Sequence, residues 1–579
     1  MDEEIFEMDQ FSSLPSELLE KILSAPVLGA VDLYSFSRTC SVFAQVLDLN
    51  SLWRTKFKQR WPSLARKVVN FYSNCKKSAQ IEWKSIYKHR LMVKKAVASH
   101  LVEIGRASYT EENTLQLAMN ETYAYKFTEA ESAALAEAVG SDARFGRCFM
   151  INELRDSAKR GHEWGNMTRK FYADKSVHCL AHDDLRPQIH DFLSSNSDNM
   201  DLEVGATLIA QWMQPLEDIS LSDVKSGIDA LAEDVKAKLH KTCPEHPMFL
   251  ADVGTICLSP GDTTSRWSPP NCKAVLVAIE AIVSARFNQS FAQYAHPHKS
   301  YINCVLKDRQ AIPITLCLIL MGIARRLGFV LEPVSFPETF VLRWLEYPYK
   351  SGLARYTYVD PFHGRYSVTS EQLPSPYADR GVDGLIDRHV LAAMEQCSKR
   401  EVILRMLRNL LNCWRQLMTR HEQRQTMLRH VVELECMAEP CNYQHQILMV
   451  QVMIQLGVNL HWAMLIVEEL LALHPALTTP LSDIPIRCQH MLRQLKDKAS
   501  KPREVQPKRR ADHPQTVTNA GSLFDTYNQH FYVPNKYLAA DYPDDTEACR
   551  EIMKTYMKAN ENITRYWVHQ EPVDIKSVP

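Results

Sequence analysis

From Leu14 to Trp61 the chain interrupts short apolar stripes with helix-stopping residues so closely that only a cluster of small helices accommodates the pattern. Pro15 suits a first helical position, and Glu17 lies in the first turn, where its charge favours the helix dipole. Leu14, Leu18 and Ile22, with Leu19 and Leu23 beside them, form the stripe of a helix packed on one side, and Pro26 ends it. A second helix is expected to carry Leu33, Phe36, Cys40 and Phe43, and a third Leu52, Trp53 and Phe57, before Trp61-Pro62 closes the unit. Three helices in about fifty residues make a thin core. At roughly 25 cal/mol per Å² of apolar burial such a unit is marginal alone, so its leftover apolar surface is expected to meet a partner or the next domain.

The order Leu14-Pro15-Ser16-Glu17, Ile22-Leu23, Val31-Asp32-Leu33, Arg38-Thr39-Cys40 and Leu52-Trp53-Arg54 resembles the F-box. The family role of that motif is to bind the Skp adaptor and so attach a substrate-recruiting subunit to a cullin–RING ubiquitin ligase. The resemblance implies that Leu14, Pro15, Leu18, Ile22, Leu33, Phe36 and Trp53 form or support an adaptor-binding surface. Taken without it, the same residues also fit an ordinary amphipathic helical hairpin.

Composition sets limits on the rest of the chain. With 579 residues, 45% hydrophobic and 23% charged, it is long enough for several domains. A formal net charge of -1 argues against a nucleic-acid-binding or membrane-surface function carried by the whole chain. Only 18 glycines favour helix over turn-rich β structure. The 15 cysteines form no CxxC pair and their number is odd, which fits free thiols in a reducing compartment better than a disulfide framework. No metal site or cofactor is implied. The start Met1-Asp2-Glu3-Glu4 does not read as a signal peptide, and the apolar stretch from Ala311 to Ala324 is too short to cross a bilayer. The expectation is an intracellular, cytoplasmic protein, with nuclear import left open by Lys508-Arg509-Arg510.

Beyond a helical connecting region at 63–200, the most informative block starts at Ser300. Pro313 can open a helix, Arg325 and Arg326 suit its last turn, and Gly328 can supply a left-handed cap. Ile314, Leu316, Leu318, Ile319, Leu320 and Ile323 cover most of its circumference, so this helix belongs in the centre of a domain. Extended runs follow at Val330 to Val334, Thr339 to Leu345 and Tyr356 to Phe362, which suggests an α+β core.

This order, with Ile312-Pro313-Ile314, Leu327-Gly328, Phe336-Pro337-x-x-Phe340 and Asp360-Pro361-Phe362, is similar to the SirB-type branch of the transglutaminase-like superfamily. Active members of the wider superfamily use a Cys at the start of the central helix, a His on the next strand and an Asp on a later strand. By that resemblance the nucleophile position falls on Pro313 and the base position on Thr339, and only Asp360 keeps its type. Loss of a nucleophile alone costs on the order of a million-fold in rate, so the resemblance implies a pseudoenzyme. Cys304 and Cys317 lie near the helix and read as packing cysteines, with a cryptic thiol mechanism as the sharper alternative; His363 reads as a solvated turn residue, with a displaced base as its sharper alternative.

After Gln372 the chain is strongly helical, with Val402, Met406, Leu410, Trp414 and Leu417 on one face. Ile447 to Leu456, Gly457, and Trp462 to Leu473 before His474-Pro475 resemble one tetratricopeptide-like hairpin, either a layer over the preceding core or a peptide groove. Residues 497–520, with Lys501-Pro502-Arg503 and Pro507-Lys508-Arg509-Arg510, read as a basic flexible linker. The aromatic segment 521–579 is expected to fold back on the body.

The organisation expected is multidomain and mostly α with an α+β transglutaminase-like core. In order it comprises a three-helix F-box (8–62), a helical connecting region (63–200), the core (201–375), a tetratricopeptide-like layer (376–496), the linker (497–520) and the aromatic segment (521–579). The whole resembles the F-box only protein 21 family. That family carries a hemimethylated-DNA-binding-like domain where only the basic linker stands here, so DNA is not expected as a partner. The resemblance implies a non-catalytic substrate-recognition subunit of a Skp–cullin–F-box ligase that recruits targets for ubiquitination and degradation. It requires no cofactor and no membrane. A cysteine-dependent amide-processing enzyme and a ligase-independent scaffold are the competing classes.

Overall fold

The computed structural model describes residues 14–74, 81–107, 134, 136–138, 140–159, 167–250, 256–288, 296–336, 340–347, 355–369, 395–417, 421–456, 460–473 and 493. Two compact units divide at Leu417/Met418. The first contains both the N-terminal helical part and the transglutaminase-like part.

Its N-terminal part has four helices where three were expected: α1 (Ser16–Leu23), α2 (Ala30–Ser37), α3 (Ser41–Leu47) and α4 (Asn50–Arg60). Pro15 occupies the N-cap position of α1, one place before the expected one. The segment read as a single helix over Leu33 to Phe43 breaks at Cys40, whose backbone is extended. Ser37 Oγ and Thr39 Oγ1 donate to the carbonyls of Tyr34 and Phe36 at 2.8 and 2.6 Å, so side chains satisfy groups a continuing helix would have used.

These helices share one hydrophobic core with α5 (Pro62–Asn74), α6 (Trp83–Ala107), α7 (Phe145–Lys159) and α8 (Met167–Ser194). Leu19, Leu33, Trp53 and Phe57 belong to the same continuous cluster as Trp83, Tyr87, Phe149 and Val177. The thin core anticipated for an isolated three-helix unit is thereby thickened by its neighbours. Within it Arg90 is fully buried and donates to Glu153 Oε2 at 2.9 Å and Asn152 Oδ1 at 2.6 Å, with the ring of Trp61 4.9 Å away.

The transglutaminase-like part is built from α9 (Leu202–Met213), α10 (Leu221–Thr242), α11 (Pro269–Arg286), α12 (Ile302–Asp308) and α13 (Pro313–Arg326), followed by an antiparallel meander. Its strands β1 (Glu332–Val334), β2 (Val341–Tyr347), β3 (Arg355–Asp360) and β4 (Arg365–Val368) lie in the order β1-β2-β3-β4. The register is Pro333↔Leu342, Leu342↔Val359 and Tyr358↔Val368. Pro333 sits in an edge strand, where its missing N–H costs no ladder bond, and its carbonyl accepts from Cys397 N at 2.9 Å.

Helix α13 is the centre of this part, as its all-round apolar sequence predicts, with Pro313 through Leu320 buried without interruption. It packs against α10 and α11 and against β2. Gly328 ends it with φ +73°, and a Cβ there would lie 2.9 Å from Trp267 Nε1, which donates to Leu327 O at 2.6 Å. Only glycine fits that turn. Helix α14 (Lys399–Gln416) packs on α9 and α13 and so belongs to this first unit.

The second unit contains α15 (His421–Ala438), α16 (Tyr443–Leu456) and α17 (Leu460–Leu473), each packed on the next. The last two are the helices read from the hairpin pattern. Among the described residues, no helix is long and apolar enough to cross a membrane. The linker, the aromatic segment and Lys508-Arg509-Arg510 lie outside the described residues.

Candidate functional sites

The seven residues expected at the F-box surface fall into two groups. Leu33 and Trp53 have no exposed surface, and Trp53 Nε1 donates to Leu47 O at 2.6 Å. They cannot touch a partner; they hold the unit together. Pro15, Leu18, Ile22 and Phe36 are exposed and Leu14 is half-buried.

Beyond the seven expected surface residues, the structure adds three exposed apolar side chains, Val27, Val31 and Tyr34, the first two 87% and 79% exposed. Among the described residues, six of the thirteen large hydrophobic residues that stand exposed lie between Leu18 and Phe36. Clusters of exposed large apolar side chains are a common property of interaction sites. The side beneath is fixed by Tyr34 against Trp53 (5.9 Å between ring centroids) and Phe36 edge-on to Phe43 (5.8 Å).

The second candidate is the start of α13. Pro313, Ile314 and Thr315 are buried, and the 3-10 turn Pro297–Lys299 closes over them. Ile312 N donates to Lys299 O at 3.2 Å and Thr315 Oγ1 to Ser300 O at 3.3 Å. The helix end that would present a nucleophile is sealed, with no nucleophilic side chain at Pro313. Thr339 lies outside the described residues; its neighbour Phe340 offers its carbonyl to Cys317 Sγ at 3.5 Å.

Asp360 ends β3 with a fully buried side chain. Its Oδ2 lies 2.7 Å from His363 Nδ1 and accepts from Arg365 Nη2 at 2.7 Å, while Oδ1 accepts from His363 N at 3.2 Å. His363 is therefore not a merely solvated turn residue, as the sequence suggested, but a partner of Asp360. Cys317 is wholly enclosed; burial, with the nearby Asp360 charge adding to it, pushes its thiol well above the ordinary range.

Cys304 lies elsewhere, on α12. Its Sγ donates to Gln214 Oε1 at 3.3 Å and stands 3.7 Å from His298 Nδ1. Burial first, then the Asp308 and Glu217 charges, raise this thiol to about 11. A thiolate is the reactive form, and this setting suppresses it.

A third feature is invisible in the sequence. Glu203, buried on α9, accepts from Arg325 Nη2 at 2.7 Å and from Arg326 Nη1 and Nη2 at 2.6 and 3.1 Å. Gly322 makes room for this, since a Cβ there would lie 2.8 Å from Glu203 Oε1. The paired arginines that suited a helix end electrostatically clamp α13 to α9. The cluster borders a cleft of about 350 Å³ between Asp201, Asp262, Leu318, Phe329 and Lys399.

Comparison with known proteins matches these parts. A family model described as F-box-like covers residues 11–59, and one described as transglutaminase-like superfamily covers 222–408. F-box only protein 21 from Homo sapiens is 27% identical over 456 residues, which is 77% of this chain and 65% of that protein. The Mus musculus protein of the same name is 27% identical over 455 residues, again 77% of this chain and 65% of its own length. A UPF0162 protein from Xylella fastidiosa (strain Temecula1 / ATCC 700964) is 34% identical over 119 residues, 20% of this chain and 40% of the bacterial protein. The chain thus spans a little under two thirds of the F-box relatives it matches. No solved structure matches significantly. A helical N-terminal unit matched by the F-box-like model, joined to a helix-centred core with a four-stranded meander matched by the transglutaminase-like model, makes this chain similar to F-box only protein 21.

Proposed function

We propose that this protein is a substrate-receptor subunit of a Skp–cullin–F-box ubiquitin ligase, recruiting protein targets for ubiquitination and proteasomal degradation. The observation that carries the reading is the concentration of exposed apolar side chains at Leu18, Ile22, Val27, Val31, Tyr34 and Phe36 within the F-box-like region. Such a face costs free energy in water and returns it on docking. Its proposed occupant is the Skp adaptor, and through it the cullin–RING core.

The protein itself supplies no covalent step in this reading. Pro313 stands at the nucleophile place, Cys317 is enclosed, and Cys304 is held protonated at neutral pH. These observations weigh against a thiol enzyme. What the subunit contributes is proximity, since holding a target lysine beside a charged conjugating enzyme raises effective concentration. The place of action proposed is the cytoplasm.

Affinity purification of the full chain from cells with neddylation blocked tests the assignment. Co-purifying adaptor and cullin are expected, and both should be lost with the Leu14→Ala, Pro15→Ala double variant. Recovery of the parent chain without either protein would leave a ligase-independent scaffold as the better account.

A further inference from the structure

The exposed apolar side chains come from two helices and the turn between them. For them to act as one face, that turn has to be held. Ala25-Pro26-Val27-Leu28 forms a β-turn in which Leu28 N donates to Ala25 O at 3.1 Å, with Pro26 at the second position and Val27 at the tip. Gly29 N then donates to Asp32 Oδ2 at 2.7 Å and α2 begins.

Beneath the turn lies Lys56, a residue of α4 that is only 5% exposed. Its Nζ donates to Ala25 O at 2.6 Å and to Leu28 O at 2.8 Å, one carbonyl at each end of the turn. One helical turn along, Gln59 Nε2 donates to Ser24 O at 2.8 Å. A buried ammonium is costly unless its protons are used, and charge-assisted bonds to carbonyls are the strong kind. Packing alone would be served by a methionine of similar length. The amine is needed for the two carbonyls.

We propose that Lys56 is a positioning residue of the docking face: it fixes the α1–α2 turn so that Val27 is presented as a contact of the Skp-type adaptor. This rests on the docking reading and extends it to a residue that cannot itself reach a partner. Lys56 acts only through the turn, so its contribution should vanish once the turn's tip no longer binds.

The test is a double-mutant cycle on the full chain, titrated with a purified Skp-type adaptor, with the thermal midpoint measured for every variant. V27D should weaken binding by about tenfold or more at an unchanged midpoint. K56M should weaken it by a similar factor, yet cost less than about threefold when added to V27D. K56M at parent affinity, or K56M costing the same factor with and without V27D, overturns the proposal. If K56M does not fold, P26G carries the test: loosening the turn while leaving Lys56 in place should cost several-fold in affinity, and parent affinity for P26G overturns the proposal. A parent chain that fails to bind the adaptor overturns the docking reading itself. A parent that binds, with V27D and K56M each binding as tightly as the parent, overturns the role of the lysine and the turn alone.

Discussion

His363 Nδ1 lies 2.7 Å from Asp360 Oδ2, so the one carboxylate found at the expected orienting place does hold an imidazole, supplied from three residues along the chain. Arg365 shares the same oxygen at 2.7 Å. Asp360 thereby ties the β3–β4 connection together, and its neighbour Cys317 has an enclosed thiol with Phe340 O as its acceptor. The carboxylate is engaged in local architecture.

That role is measurable as stability. Asp360→Asn keeps the shape but removes the charge facing Arg365 and His363. Because those partners keep some contact with water, the cost should be about 2 kcal/mol. Urea unfolding of the first unit reads it directly, and an unchanged midpoint would show that the cluster holds nothing.

Trp53 and Leu18 should separate support from surface. Trp53→Ala opens a cavity in a sealed core and loses the bond to Leu47 O, which should cost about 3–5 kcal/mol. Leu18→Ala removes a half-exposed side chain and should change stability by less than about 0.5 kcal/mol. The two thermal midpoints settle the division, and equal losses would erase it.

Stability should fall on mild acidification through His89. Its side chain is buried with Nδ1 3.1 Å from Ser141 Oγ, and burial lowers its pKa from 6.5 to about 4. Between those values the unfolded chain binds a proton that the folded chain refuses. The stabilisation is therefore present above pH 6.5 and lost as pH drops toward 4, amounting to roughly 2–3 kcal/mol. Denaturant midpoints of parent and His89→Gln across that range should converge at low pH; parallel curves would contradict the assignment.

Thiol labelling at neutral pH should rank the cysteines by setting. Cys257 is exposed, Cys304 half-buried and Cys317 buried. A thiol raised to about 11 from 9.0 carries roughly a hundredfold less thiolate. Alkylation should reach Cys257 first, Cys304 far more slowly and Cys317 only on unfolding. Preferential reaction of Cys304 would revive the thiol-enzyme reading.

Periodicity revealed the helices themselves: the apolar stripe through Leu18, Leu19, Ile22 and Leu23 and the all-round apolar course of Ile314 to Ile323 both form helices where expected, but in the first only Leu19 and Leu23 pack inward while Leu18 and Ile22 face solvent. The break at Cys40 was hidden because it depends on Ser37 and Thr39 taking backbone carbonyls, and an apolar count across Leu33 to Phe43 is blind to that. The exposure of Val27 was equally hidden, since it depends on the Lys56 bonds that hold its turn from a residue about thirty positions away. The clamp of Glu203 on Arg325 and Arg326 joins positions more than 120 residues apart, which no local pattern reveals. At the core, the residue types at Pro313 and Asp360 were legible, but that a 3-10 turn seals the helix start was not.

The exposed residues between Leu18 and Phe36 are proposed to dock the Skp adaptor. The most direct measurement is the affinity of the full chain for the purified adaptor, compared with the Leu18→Asp, Ile22→Asp double variant whose folding is checked by its thermal midpoint. Two charges placed on an apolar interface should weaken binding by about a hundredfold or more with the midpoint nearly unchanged. Parent-level affinity in the folded double variant would contradict the account.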